Sequence, residues 1–141
     1  MKTILIICLV YLLAGCSSTN NTVTNSGVLN GDWEVIKQEI GGKDLPLAPS
    51  ENQRLTILDN SFLFSAEGID EGSITYSAGK MDIYVKEGVN VGKHFPAIYK
   101  LEDDVLTICY NLAGDVYPKD FETESNPNFF LTVFKKSQTK Q

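Results

Sequence analysis

The sequence predicts an all-β chain, a meander of eight antiparallel strands that closes as a barrel or folds over as a sandwich. Three observations carry this. From Gly31 onward, short runs rich in β-branched and aromatic residues alternate apolar with polar positions, the period of a strand with one buried face. Asp59-Asn60, Ala78-Gly79 and Glu102-Asp103-Asp104 stand between runs, and such residues accept the backbone angles of tight turns, which make neighbouring strands antiparallel. No stretch repeats apolar residues at helical spacing.

The elements follow in order. Lys2 precedes a ten-residue apolar run, Ile4 to Leu13, and Ala14 and Gly15 are the small residues that a processing enzyme needs before its cut. A spanning helix needs about 20 apolar residues, so this run is a leader and not a membrane span. Leu13-Ala14-Gly15-Cys16 resembles the lipobox of bacterial lipoproteins. That resemblance implies that residues 1–15 are a lipoprotein signal peptide and that the Cys16 thiol is acylated and becomes the first residue of the mature chain. Several acyl chains give stable anchoring at about 0.8 kcal/mol per buried methylene. Residues 17–28 carry no charge and almost no apolar mass, and with Cys16 they form a lipidated, flexible tether with a reach of roughly 20 Å.

The predicted strands are Asp32–Ile40, Gln53–Leu58, Ser61–Ser65, Ser73–Ser77, Lys80–Lys86, Phe95–Leu101, Val105–Tyr110 and Phe129–Lys135. Residues 41–50 hold two glycines and two prolines and read as a loop. Residues 111–128 are the longest irregular stretch, a length that is usually functional or disordered. The last strand, Phe129-Phe130-Leu131-Thr132-Val133-Phe134, is apolar on both faces. One face lines the interior and the other needs cover, for which 111–128, with Tyr117 and Phe121, is the nearest candidate. The domain spans 29–136, and 137–141 form a disordered tail.

Removing residues 1–15 from 141 leaves 126, enough for one domain with one core. Lys2 leaves with the leader, so a net charge of −6 becomes −7. An acidic surface without a lysine or arginine cluster excludes nucleic acid as a partner. With Cys8 removed and Cys16 lipidated, Cys109 has no partner for a disulfide, and its β-rich setting predicts a small core hydrophobe.

Gly31-Asp32-Trp33 opens the first strand and Lys135 ends the last. This resembles the lipocalin and calycin arrangement, in which a first-strand tryptophan closes the base of an up-and-down barrel and a cation from the last strand lies over its ring. The resemblance implies an eight-stranded lipocalin-like barrel with Trp33 and Lys135 as its closing pair. A longer series is similar to an uncharacterised lipocalin-like domain abundant in Planctomycetes. It comprises Gly31-Asp32-Trp33-Glu34-Val35, Gly42-Lys43-Asp44-Leu45-Pro46, Ala97-Ile98-Tyr99-Lys100-Leu101, Asp104-Val105-Leu106-Thr107-Ile108-Cys109 and Tyr117-Pro118-Lys119-Asp120-Phe121. Ala97 replaces that family's usual glycine, and Tyr117 stands where an arginine often precedes the proline. If that arginine held the long loop by a salt bridge, this chain holds it otherwise.

Catalytic and metal motifs are missing. There is no Gly-x-Ser-x-Gly, His-Glu-x-x-His or phosphate-cradling glycine loop, and the single histidine, His94, sits in a turn and reads as solvated. No enzyme activity, cofactor or metal is expected. Two functions stay open. One is a carrier or sensor that holds a small apolar molecule at the barrel mouth, with Phe62, Phe64, Tyr99 and Tyr110 as its lining. The other is an envelope-tethered interaction module, an inhibitor, immunity factor or assembly accessory, whose barrel is filled. Trp33, Phe62, Phe64, Tyr84, Tyr99, Phe130 and Phe134, all pointing inward, have the ring volume to fill it. Ser17 is not the aspartate that resembles an inner-membrane retention signal, so the expected address is the outer membrane, facing the periplasm.

Overall fold

The computed structural model describes residues 26–47 and 52–138. The leader, Cys16, most of the tether and the last three residues of the tail lie outside the described residues. Nine strands follow one another, and the described residues contain no helix. They are β1 (Gly31–Ile40), β2 (Lys43–Leu45), β3 (Arg54–Leu58), β4 (Ser61–Ser65), β5 (Ile69–Ser77), β6 (Lys80–Gly88), β7 (His94–Glu102), β8 (Val105–Asn111) and β9 (Phe129–Lys136).

All pairings are antiparallel, and from β3 to β9 each strand pairs with the next. β1 pairs with β3 on one side and β9 on the other, which closes an eight-stranded up-and-down barrel, the predicted fold class. Closure leaves the ring no unpaired edge. The ninth strand is the element missed from sequence. β2 lies within the predicted loop and pairs Gln38↔Leu45 to Ile40↔Lys43 with the far half of β1. β1 is long enough to pair with β3 through Gly31–Glu34 and with β2 through Gln38–Ile40. Gly41 and Gly42 turn between them at φ 53° and 78°, angles that glycine adopts without penalty. The β5 strand also starts four residues earlier than predicted, at Ile69.

The turns behave as their residues dictate. Asp59, Ala78 and Asp103 hold φ of 52°, 49° and 53°, the left-handed region expected at the three tight turns. They lie at one end of the barrel, together with the start of the described chain. This end is closed. Trp33 and Leu29 are fully buried there, Trp33 Nε1 donates to Leu29 O at 2.9 Å, and Leu29 N donates to the Tyr76 hydroxyl at 3.3 Å. Met81, Phe134 and Leu106 complete this packing with no exposure.

A bulge adjusts β1. Val35 pairs with Phe134 and Lys37 with Val133, so Ile36 has no opposite residue. The extra residue inverts the alternation. Trp33 and Val35 face inward before the bulge, while Gln38 and Ile40 share faces with inward Thr132 and Phe130 after it.

The last strand has two apolar faces, as expected. Thr132 and Phe134 point inward, while Phe129 and Leu131 pack outside the wall with Cys109, Ile98, Phe121 and Val133. The long loop is the cover, through Phe121, with Lys100 Nζ 5.4 Å from that ring. Cys109 is fully buried as predicted, but between wall and loop, outside the barrel interior.

Candidate functional site

The end opposite Trp33 is open. Ile40, the 65–69 turn, the 88–93 turn and Leu112 surround it, and inside lies a cavity of about 330 Å³. Ile74, Ile83 and Ile108, from the middle of β5, β6 and β8, form its floor. Phe62, Phe64, Phe95, Tyr110 and Phe130 form its walls. Tyr110 and Phe130 are cross-strand partners with stacked rings 6.0 Å apart. Burial pushes the Tyr110 hydroxyl well above the usual phenol range, so it stays a neutral donor in the cavity wall. Thr132, 1% exposed, adds a second hydroxyl side chain to the lining.

The cavity has a polar rim. Asp70 on β5 is braced to the 88–93 turn: its Oδ1 accepts from Asn90 N at 2.8 Å and its Oδ2 from Asn90 Nδ2 at 2.6 Å. Lys93 Nζ donates to Asn90 Oδ1 at 2.9 Å. Asp70, Asn90 and Lys93 all line the cavity, and no periodicity in the sequence marks them, because two of the three sit in a turn.

Of the four predicted lining residues, the structure brings together Phe62, Phe64 and Tyr110. Tyr99 is not among the lining residues: it pairs with Ile108 but packs edge-on against Tyr76, 5.7 Å away, towards the closed end. Nor do all seven counted aromatics point inward. Tyr84 is 45% exposed on the outer wall, and the remaining rings leave the cavity open.

The closing pair is corrected by one residue. Lys136, not Lys135, lies over Trp33, with Nζ 5.2 Å from the ring. Lys136 is the direct cross-strand partner of Trp33, whereas Lys135 opposes Glu34 on the outer face. Side chains on paired positions share a face, so the pleat decides between the two lysines. Gly31, two residues before the tryptophan, holds φ 133°, a backbone angle that residues with a Cβ rarely adopt, and the aliphatic stem of Lys136 passes beside it.

His94 is corrected as well. It opens β7, half-buried, with Nε2 2.7 Å from Asp82 Oδ1 and its ring stacked 4.4 Å from Tyr84, its cross-strand partner. Asp82 Oδ2 accepts from the Tyr117 hydroxyl at 2.6 Å, and Lys80 Nζ lies 5.0 Å from the Tyr117 ring. The hydrogen bond to Asp82 pushes the Tyr117 hydroxyl up to about 12. Tyr117 thus holds the long loop to the wall by a hydrogen bond. These residues are 12 and 35 apart in sequence, so only the folded wall assembles them. Among the described residues, no group of three or more histidine, cysteine, aspartate or glutamate side chains is placed to hold a metal ion.

Compared with protein-family models, curated proteins and solved structures, the chain matches none.

Proposed function

We propose that this protein is an envelope lipoprotein, anchored by acyl chains on Cys16, whose lipocalin-like barrel carries or senses a small apolar molecule. The observation that supports it is the cavity of about 330 Å³ under an open end, walled by rings and floored by isoleucines. Ligand sites are typically concave, mostly apolar and about 300–1,000 Å³, with a few polar groups that orient the ligand. A water molecule takes about 30 Å³ and a methylene group is similar, so the cavity suits roughly ten heavy atoms. An unfilled interior of this size costs packing contacts, and an occupant would restore them. The described chain starts at the closed end, and the mouth lies at the other end.

Native mass spectrometry of the protein purified from its own host tests the carrier reading. A retained lipid-like mass is the expected result, and a protein that is repeatedly empty and ignores hydrophobic dyes overturns it. The anchor has its own test: palmitate labelling of the chain and of Cys16→Ser, in which label on both or on neither counts against lipidation at Cys16.

A further inference from the structure

We propose that the cavity takes a neutral oxygenated hydrocarbon, a ketone, ester or alcohol, with its oxygen inside the barrel against the Tyr110 and Thr132 hydroxyls. This rests on the carrier reading and adds the ligand's chemistry.

The polar groups of the lining fall into two sets. At the rim, Asp70 and Lys93 both bond Asn90. One carboxylate and one ammonium sharing an amide side chain favour neither sign of charge. The second set lies further in. Tyr110 stands two residues before Leu112, which is at the mouth, and Thr132 is the cross-strand partner of Ile108 in the floor. Neither hydroxyl has a hydrogen-bond partner among the described residues. The rest of the lining is isoleucine, leucine, valine and phenylalanine.

Three kinds of occupant then differ in what they do for these hydroxyls. A hydrocarbon fills the space but leaves both unpaired, and an unmade hydrogen bond in an apolar interior keeps its desolvation cost. An ion gives up its hydration and meets no opposite charge beside them. A neutral oxygen is cheaper to desolvate and accepts the bond that a tyrosine hydroxyl donates. Tyr110 stays a donor because burial holds its proton. Phe130, stacked on its ring across the strand pair, limits the arc that the hydroxyl can sweep. Thr132, 1% exposed, can donate to the same oxygen or accept from an alcohol.

The test titrates the purified full chain with 2-nonanone, 1-nonene, sodium nonanoate and nonylammonium chloride, each displacing a fluorescent apolar dye. The same titrations are run on Tyr110→Phe and Thr132→Val, which remove a hydroxyl and keep the side chain's shape. Because neither hydroxyl is bonded within the described protein, both variants keep the fold. The expected result is that the ketone binds more tightly than either ion. Tyr110→Phe, Thr132→Val or both then weaken the ketone about fivefold, the scale of one hydrogen bond, and leave 1-nonene unchanged. A ketone indifferent to both substitutions, an ion that binds as tightly as the ketone, or 1-nonene weakened as much as the ketone overturns the proposal and leaves the carrier reading standing. If no probe displaces the dye from the parent chain, both fall.

Discussion

Trp33 closes the barrel with its whole indole, among four residues: Leu29, whose carbonyl accepts from Nε1, Val35 and Leu55 within the same core cluster, and Lys136, whose ammonium lies over the ring. A cation over tryptophan contributes about 0.5–1 kcal/mol at a partly exposed site. Lys136→Met should therefore lower the unfolding free energy by about that amount, whereas exposed Lys135→Met should stay within about 0.5 kcal/mol of the parent. Urea denaturation of the two variants side by side checks this, and equal effects would contradict the cross-strand pairing. Cys109 gives a second prediction at this scale. Burial, then the charges of Asp120 and Glu39, push its thiol up to about 11. The native thiol stays protonated and should resist alkylation at pH 8, while the unfolded chain is labelled at Cys109, as read by peptide mass. Because the folded thiol holds its proton to higher pH than the unfolded one, stability should fall as pH rises between the two values.

The long loop between β8 and β9 is held along its length by side chains. At its start, buried Asn111 donates from Nδ2 to Asp115 Oδ1 at 2.7 Å and to the Val116 carbonyl at 2.8 Å, and accepts from Ala113 N at 2.9 Å. Tyr117 bonds Asp82 in the middle. Further on, fully buried Thr123 accepts from Gly42 N at 2.8 Å and donates to Glu39 Oε1, joining the loop to the β1–β2 turn. Thr123→Val removes both bonds and should cost about 1–2 kcal/mol, since two partly buried hydrogen bonds are lost, one of them to a carboxylate. That hydrogen bond, then Lys37, holds the Glu39 carboxyl below the usual range. A carboxyl depressed in the folded state stabilises above its unfolded value, and the contribution is lost as pH falls through the folded one. Thr123→Val should shift Glu39 back towards the usual range, measured by NMR titration, and flatten the acid limb of the stability profile. Tyr117→Phe should raise amide exchange across 113–119 while leaving β3 and β4 protected, because the Asp82 bond ties only the loop to the wall.

At the scale of the molecule, one end is sealed by packing and the other kept open, and the cavity follows from that asymmetry. Ile108→Phe should fill the floor and abolish dye uptake at a stability cost below the about 1–3 kcal/mol of overpacking a full core, because the space is there to receive the ring. Dye fluorescence and thermal melting on one sample check it, and uptake at the parent level would place the binding surface elsewhere.

The sequence by itself determined where most strands and the three tight turns fall, and that β9 has an inner and an outer apolar face. These are local properties: alternation, turn residues and residue size act within a few positions. It did not show β2, because a three-residue strand among glycines and prolines has no period to read. Only the tertiary structure decided which neighbouring lysine covers Trp33, which aromatics line the cavity, and that Asp82 joins His94 to Tyr117. Each depends on strand register and on the closure of β1 against β9. A shift of one residue in that pairing would exchange the faces of the ladder, and the Ile36 bulge within it makes just such a shift.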